Sequence, residues 1–407
     1  MAGTVTCVMR LAIAIMVLAV FAAGPVSPTS ASTRWLERDQ LPPGPAAATV
    51  APPMSPAVDI STTGADNREP DVSYNSLFGE YLAVWEGNKT IWGRRVSSRG
   101  QPIGPPFPIE SGATYGYRGP RVAYDSFRNR YLVIWGRLVS NQALTIHGRF
   151  VPALGPDPAL AAFALDPNQS PATAAYSLDS ALAQDEFLAA WGRQTGGAFR
   201  VATFARRIEA DGSGFPASTF LLAEHATDNR AHPDVAYNLA RNEFLVTMDD
   251  YPKANENVFG VRLTAGGLVL GGGEFGIAGL PDDELGAAVA ACPSGDQYVA
   301  AWHSTQVTAN TDGIYARLVA GDGSPGTVVQ LAHYGHWEWP RPLDTACGVT
   351  NHEREQPRHL VAWAQSVFPP TSCLARELFS TGTVGDAVVI TEHCGDLAVA
   401  GGAMNHL

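Results

Sequence analysis

Beyond its first sixty or so residues, the chain alternates short apolar runs with turn residues, and the runs recur in a fixed order. "YLAVW" ends at Trp85, "YLVIW" at Trp135, "FLAAW" at Trp191, "FLVTM" at Met248, "YVAAW" at Trp302 and "HLVAW" at Trp363, at steps of 50, 56, 57, 54 and 61 residues. Periods of this size mark a repeat architecture. Each unit has four parts. A segment such as "PDVSYN", "PRVAYD" or "PDVAYN" comes first, and the aromatic-rich run ending in Trp comes second. "IWGRRV", "IHGRFV", "VFGVRL" or "IYARLV" is third, and a weaker run such as "PFPIE", "STFLLA" or "TVVQLA" is fourth. All are short and rich in β-branched or aromatic residues, the composition of strands. Gly100, Asp211-Gly212, Gly266, Asp322-Gly323 and Gly382 fall between the third and fourth parts and predict hairpin turns.

The predicted fold is therefore all-β, a β-propeller of four-stranded antiparallel blades. A lone four-stranded meander cannot cover both faces, whereas a ring of them buries each face against a neighbour. That explains strands that are apolar on both sides instead of alternating cleanly. Six units are complete, so six blades are expected. "PAVDIS" ahead of the first unit resembles a fourth strand, and "DLAVAGG" after the last resembles a first strand. These ends are expected to pair with the ring and help close it; a seventh, composite closing blade is the alternative. The "YLVVW"-like and "IYGRR"-like strands resemble the repeats of secreted bacterial β-propeller proteins, over roughly Asp59 to the C-terminus. The kelch Gly-Gly signature, the Gly-His…Trp-Asp signature and the sialidase Asp-box are all absent. The resemblance thus implies a fold and very little chemistry.

The N-terminus changes the picture of where the protein works. Met1–Arg10 carries one basic side chain, Leu11–Ala23 is an unbroken apolar run, and "PVSPTSAS" follows. This is the order of a secretory signal peptide, read as residues 1–32. Residues 33–57 form a Pro/Ala-rich linker or extended arm, and 58–407 a single propeller domain. The apolar run is short for a membrane span, and no later segment is long and apolar enough for one. The formal charge of −12 becomes −13 when Arg10 leaves with the leader. An acidic chain without basic runs argues against nucleic acid and anionic membrane surfaces. Four cysteines remain after Cys7 leaves: Cys292, Cys347, Cys373 and Cys394. An even count in a secreted chain predicts disulfides. Cys292 and Cys347 read as falling where Asn75 lies, in neighbouring units. Cys373 opens the third strand of the last unit and Cys394 closes its fourth. The expected pairs are therefore Cys292–Cys347 and Cys373–Cys394.

Trp85, Trp135, Trp191, Trp302 and Trp363 occupy one repeat position, and Arg94, Arg149, Arg206, Arg317 and Arg376 another. A residue that recurs in blade after blade serves the contact between blades. Trp buries a large area there, and Arg stacks on aromatic faces while bonding carbonyls. The fourth unit has Met248 and Val261 instead, and their joint change points to a Trp–Arg contact.

Function is sought at the loops entering the first strand and joining second to third, which gather around the channel on one face. Directly after the second strands come Glu86, Asp249, Asp250 and His303, the candidate acid/base or ligand groups. The entering loops add Arg68 and Arg230, and "HYGHWEWPR" ahead of the sixth unit supplies His336, Trp337, Trp339 and Arg341. Carboxylates around a channel would take Ca²⁺ through oxygen ligands, though no Asp-x-Asp-x-Asp-Gly spacing occurs. A carboxylate pair would serve glycoside hydrolysis, but no motif singles one out. The Trp337/Trp339 loop would form a sugar or peptide contact surface. No cofactor fingerprint and no Gly-x-Ser-x-Gly is present. The reading is a secreted, monomeric binding module for an extracellular carbohydrate or protein, with one asymmetric site at the channel face. A polysaccharide hydrolase or lyase, and a structural envelope module, are the alternatives.

Overall fold

The computed structural model describes residues 58–61 and 67–400, except 141–142, 159, 172–177, 183–185, 196–199, 213–218, 251–255, 280–282, 293–294, 307–310, 336–342, 349–357, 366–371 and 392–396. The leader and arm, the "HWEW" loop with His336, Trp337, Trp339 and Arg341, and Cys394 lie outside the described residues. Among the described residues there is no helix, and 24 strands form six four-stranded antiparallel sheets, the blades of a six-bladed propeller. Blades 1 to 6 span 67–111, 117–171, 178–223, 231–276, 283–335 and 343–391. In every blade the strands pair in chain order, and the first strands of successive blades pack beside one another as the inner layer. The turns between third and fourth strands use left-handed glycines at Gly100, Gly212, Gly323 and Gly382. In blade 4 the left-handed residue is Gly267, one position beyond the Gly266 expected from sequence. Only glycine takes that conformation without a Cβ clash.

The core is not one mass but a set of layers between blades. One layer joins Leu82, Ile91 and Ile109 of blade 1 to Tyr131, Val133 and Trp135 of blade 2. The five repeated tryptophans are at most 1% exposed. Removing such a ring typically costs about 3–5 kcal/mol. The repeated arginines act at the same boundaries. Arg149, Arg206, Arg317 and Arg376 each donate Nη1 to a carbonyl of the preceding blade's outer region (Ile109, Leu165, Ile277 and Leu331) at 2.5 Å. Arg94 does the same to Ile60 at 2.7 Å. Trp and Arg share a face: Arg94 pairs with Ala83, two residues from Trp85. In blade 4, Met248 and Val261 fill this place with apolar packing alone.

A second link repeats at the inner layer. Asp71 accepts the Val122 N–H at 2.6 Å, and Asp234 accepts that of Val289 at 2.5 Å, each in the next blade's first strand. Asp344 of blade 6 accepts the Val399 N–H at 2.7 Å. The C-terminal segment 397–400 therefore stands where a next inner strand would stand, and Ile60 stands where a preceding fourth strand would. These two ends fill the boundary between blades 6 and 1, packing with Trp85 on one side and Ala362 on the other.

The last residue of the inner strand reaches forward to the following blade. Asn75 donates to Asn129 at 3.0 Å and Asn238 to Asp296 at 3.2 Å. Blade 5 replaces this hydrogen bond with a covalent one, the Cys292–Cys347 disulfide, with Cα atoms 5.2 Å apart. Cys292 does occupy the Asn75 position. Cys347 lies one residue earlier, pairing with His359 as Tyr74 pairs with Tyr81. Asn75 and Asn238 reach the next blade's hairpin at Asn129 and Asp296, whereas the disulfide ends within the next inner strand, one residue short of that strand's own Asn75 position. Cys373 is also disulfide-bonded.

Candidate functional site

The channel face is built where each inner strand begins and each second strand ends. Here the pairing slips between Arg68 and Asp71, Arg118 and Arg121, Ala231 and Asp234, and Leu285 and Ala288. Such β-bulges re-aim side chains. In all four blades the bulge carries a left-handed residue: Glu69 (φ 50°), Gly119 (φ 50°), His232 (φ 48°) and Gly286 (φ 62°). Glycine sits there without strain, and non-glycine residues do so only when held. Glu69 is held because its carboxylate accepts the Gly119 N–H at 2.6 Å.

Blade 4 divides these roles differently. Asp249, fully buried at the end of the second strand, accepts the Gly286 N–H at 2.9 Å. It thereby makes the link to the next blade that Glu69 makes from the bulge itself. The bulge position is given to an imidazole instead. His232 Nδ1 lies 2.9 Å from both Asp249 oxygens, and 38% of its side-chain surface remains open. Burial lowers the basicity of this ring, but Asp249 and then Glu256 more than offset it, so its pKa lies above the ordinary histidine value. Around it, Asp250 accepts the Asn257 N–H at 2.6 Å, Asp283 accepts that of Glu256 at 3.2 Å, and the Glu256 carbonyl accepts that of Glu284. These bonds fix the segment that follows the second strand against blade 5. The arrangement can present an oriented, partly exposed imidazole backed by a carboxylate, the geometry of a proton carrier or of a hydrogen-bonding anchor.

The residues singled out from sequence separate into distinct groups. Asp249 is brought together with His232. Asp250 is buried beside them and occupied by backbone. His303 is 3% exposed in blade 5, and burial depresses its pKa despite the Asp312 carboxylate. Glu86 belongs to blade 1, on another arc of the ring. It accepts the Lys89 N–H at 3.2 Å, and burial raises its pKa against the pull of that bond and of Arg118. Arg68 faces Glu86 across the first strand pair and is exposed. Arg230 is 2% exposed, bonds Glu274 through Nε and Nη2 at 2.5 and 2.6 Å, and stacks over Phe259 at 4.1 Å. His232 escaped the sequence reading. Its signal was the column before the proline of "REP", "RGP" and "AHP", where Glu69, Gly119 and His232 align.

Two further features carry ligand-type groups. Cys292, Cys347 and His359 are the one trio of metal-type side chains among the described residues with donor atoms all within 4.8 Å. The disulfide engages both sulfurs, and burial pushes the His359 pKa down to about 4. Elsewhere, a cleft of about 430 Å³ opens at the boundary of blades 1 and 2, lined by Glu110, Trp135, Arg137, His147, Arg149 and three alanines at the start of the fourth strand of blade 2.

No family model matches the chain, and no curated protein matches it. Solved structures are similar in fold. An α-L-arabinofuranosidase, Arb93A from Fusarium graminearum, aligns with a TM-score of 0.47 at 12% identity, over 76% of this chain and 93% of that one. A Penicillium chrysogenum α-L-arabinanase aligns at 0.44 and 11%, over 73% and 88%. A prolyl endopeptidase aligns at 0.45 and 13%, over 81% of this chain and 43% of that one, so this chain spans less than half of its length. At such identities the likeness is to the propeller scaffold alone.

Proposed function

We propose that the protein is an extracytoplasmic binding propeller with one asymmetric ligand site on the channel face at blade 4, where His232 meets a carbohydrate. The observation that carries this reading is the left-handed imidazole on Asp249, in a place where blades 2 and 5 have Gly119 and Gly286. The link to the next blade is made by Asp249, so the strain at His232 is not needed for construction. Strain kept without a structural need points to function. An imidazole backed by a carboxylate offers directional hydrogen bonds to sugar hydroxyls.

Binding is favoured over hydrolysis because the channel-face carboxylates are already engaged: Asp249 by His232 and Gly286, Asp250 by Asn257, and Glu86 by Lys89. Glycoside hydrolysis needs two free carboxyls flanking one bond. The leader read at 1–32 from sequence and the Cys292–Cys347 disulfide support an extracytoplasmic site of action. We take the working form to be a monomer.

The test is a titration of the purified chain against neutral glycan panels, with Ca²⁺ and with chelator. Binding lost in His232→Ala and kept in His303→Ala supports the site. Binding unchanged in His232→Ala removes it. Release of reducing ends would establish the hydrolase alternative, and capture of a protein ligand without any glycan would replace the carbohydrate. Because the pKa of His232 is raised, a ligand that needs its protonated form will bind less tightly as pH rises through that value.

A further inference from the structure

The cleft between blades 1 and 2 has an internal counterpart one boundary further on. Arg149 bonds the Ile109 carbonyl and Arg206 the Leu165 carbonyl, so the next residues, Glu110 and Asp166, hold equivalent places. The next blade's Trp135 and Trp191 are equivalent, as are Arg137 and Arg193 two residues on. At the boundary of blades 2 and 3, Asp166 bridges the pair: its Oδ2 accepts Trp191 Nε1 at 3.1 Å and Arg193 Nη1 at 2.9 Å. Arg193 also stacks on Phe204 at 3.5 Å.

At the boundary of blades 1 and 2 the same three parts stand apart. Glu110 instead lies beside the Tyr117 hydroxyl, whose pKa is raised by burial and then by that carboxylate. Trp135 is 1% exposed and its buried Nε1 has no hydrogen-bond partner. Arg137 lines the open cleft, and the place of Phe204 is taken by His147, whose Nε2 lies 2.9 Å from Thr145 Oγ1. Trp85, Trp302 and Trp363 also have open indole N–H groups. Gly87, Ser304 and Gln365 follow them, so none has a guanidinium beside it. The cleft holds the guanidinium groups of Arg137 and Arg149 against one carboxylate, a local positive excess in a chain of net charge −12.

We infer that this cleft is a second binding site, taking the carboxylate of an acidic sugar where Asp166 supplies one internally next door. The ligand carboxylate bridges Trp135 Nε1 and Arg137. Ring hydroxyls donate to Glu110, which makes an acidic sugar fit better than a plain carboxylate. The volume falls within the range of small-molecule sites. This goes beyond the channel site and does not depend on it.

The experiment is calorimetric titration of the full chain with galacturonate and glucuronate and their dimers, against galactose and glucose. Uronates should bind at least about 10-fold more tightly than the neutral sugars, and Arg137→Gln should weaken them by about 10- to 100-fold, the worth of a charged hydrogen bond. Arg137 is exposed, so the variant should fold, and an unchanged melting temperature verifies that. The imidazole signals of His147, followed by NMR, should report a pKa that rises on binding as an anion joins Arg137. Equal binding of galactose, unchanged binding in Arg137→Gln, or no uronate binding at all overturns the proposal. So does binding of free peptide C-termini with no uronate binding, since the ligand class would then be wrong.

Discussion

Two neighbouring boundaries of this propeller use the same parts and finish differently. Between blades 2 and 3 a carboxylate closes the contact onto an indole and a guanidinium. Between blades 1 and 2 the carboxylate is one methylene longer, lies beside Tyr117, and borders a cleft. The difference teaches that scaffold and site are separable in a repeat protein. Trp and the third-strand Arg make the ring at both places, while the outer-strand carboxylate (Glu110 or Asp166) and the residue paired with the Trp (His147 or Phe204) differ between the open and the sealed boundary. Blade 4 shows the same economy at the channel: Asp249 makes the link to blade 5, and the bulge residue is released for other use.

The largest expected effect breaks the sealed side. Asp166 is 1% exposed and accepts Trp191, Arg193 and the Asn168 N–H. Asp166→Ala would strand an indole N–H and a guanidinium, at about 2–4 kcal/mol of stability. Glu110→Ala should lose less than about 1 kcal/mol, because Glu110 is partly exposed and its Tyr117 partner still accepts the Ala113 N–H. Urea unfolding of the two variants checks this. Equal losses would mean the boundaries are not the contrasting pair described.

A smaller effect concerns the boundary closed by the chain ends. Asp344 makes there the link that Asp71 and Asp234 make elsewhere, but its pKa is pushed up to about 7, first by burial and then by the nearby Asp71 carboxylate. The Val399 and Thr345 N–H groups pull the other way and do not prevail. Its folded pKa thus exceeds the unfolded value near 4. Between the two the native state holds a proton that the unfolded chain has lost. The stabilisation is complete below about pH 4 and is lost as pH rises through about 7. Asp344→Asn cannot titrate, so it should gain on the wild type as pH goes from 5 to 8. A pH-independent difference in melting temperature between the two would refute the assignment.

The legible part of this protein was the part that repeats. Trp85 and its counterparts, with Arg94 and its counterparts, are visible in sequence because five of the six blades use the same contact, and its return at a steady step gives both strand order and blade number. The forward link Cys292–Cys347 was legible for the same reason, though the one-residue offset of Cys347 was not, since a strand pattern does not say which neighbour a side chain reaches. His232 was hidden because its column holds Glu69, Gly119 and Gly286 elsewhere, and only the backbone shows what they share. Asp166 and Glu110 were hidden because fourth strands are the most variable part of each unit. Their meaning depends on a hydrogen bond made across a boundary, which has no sequence period.

The finest test sharpens the comparison by converting one boundary into the other. Glu110→Asp gives the open boundary the side-chain length that seals its neighbour. A shortened carboxylate at this position should leave Tyr117 and accept Trp135 Nε1 and Arg137, as Asp166 accepts Trp191 and Arg193. One buried donor becomes satisfied, so stability should rise by about 0.5–1.5 kcal/mol. The loss of the Tyr117 contact subtracts from this, which makes it the smallest effect of the three. The same change should abolish uronate binding, because the internal carboxylate now holds the place of the ligand's. Higher stability together with lost binding is the signature of competition for one seat. A variant that keeps both stability and binding at wild-type values would show that side-chain length does not govern closure, and that His147 in the place of Phe204 keeps the cleft open instead.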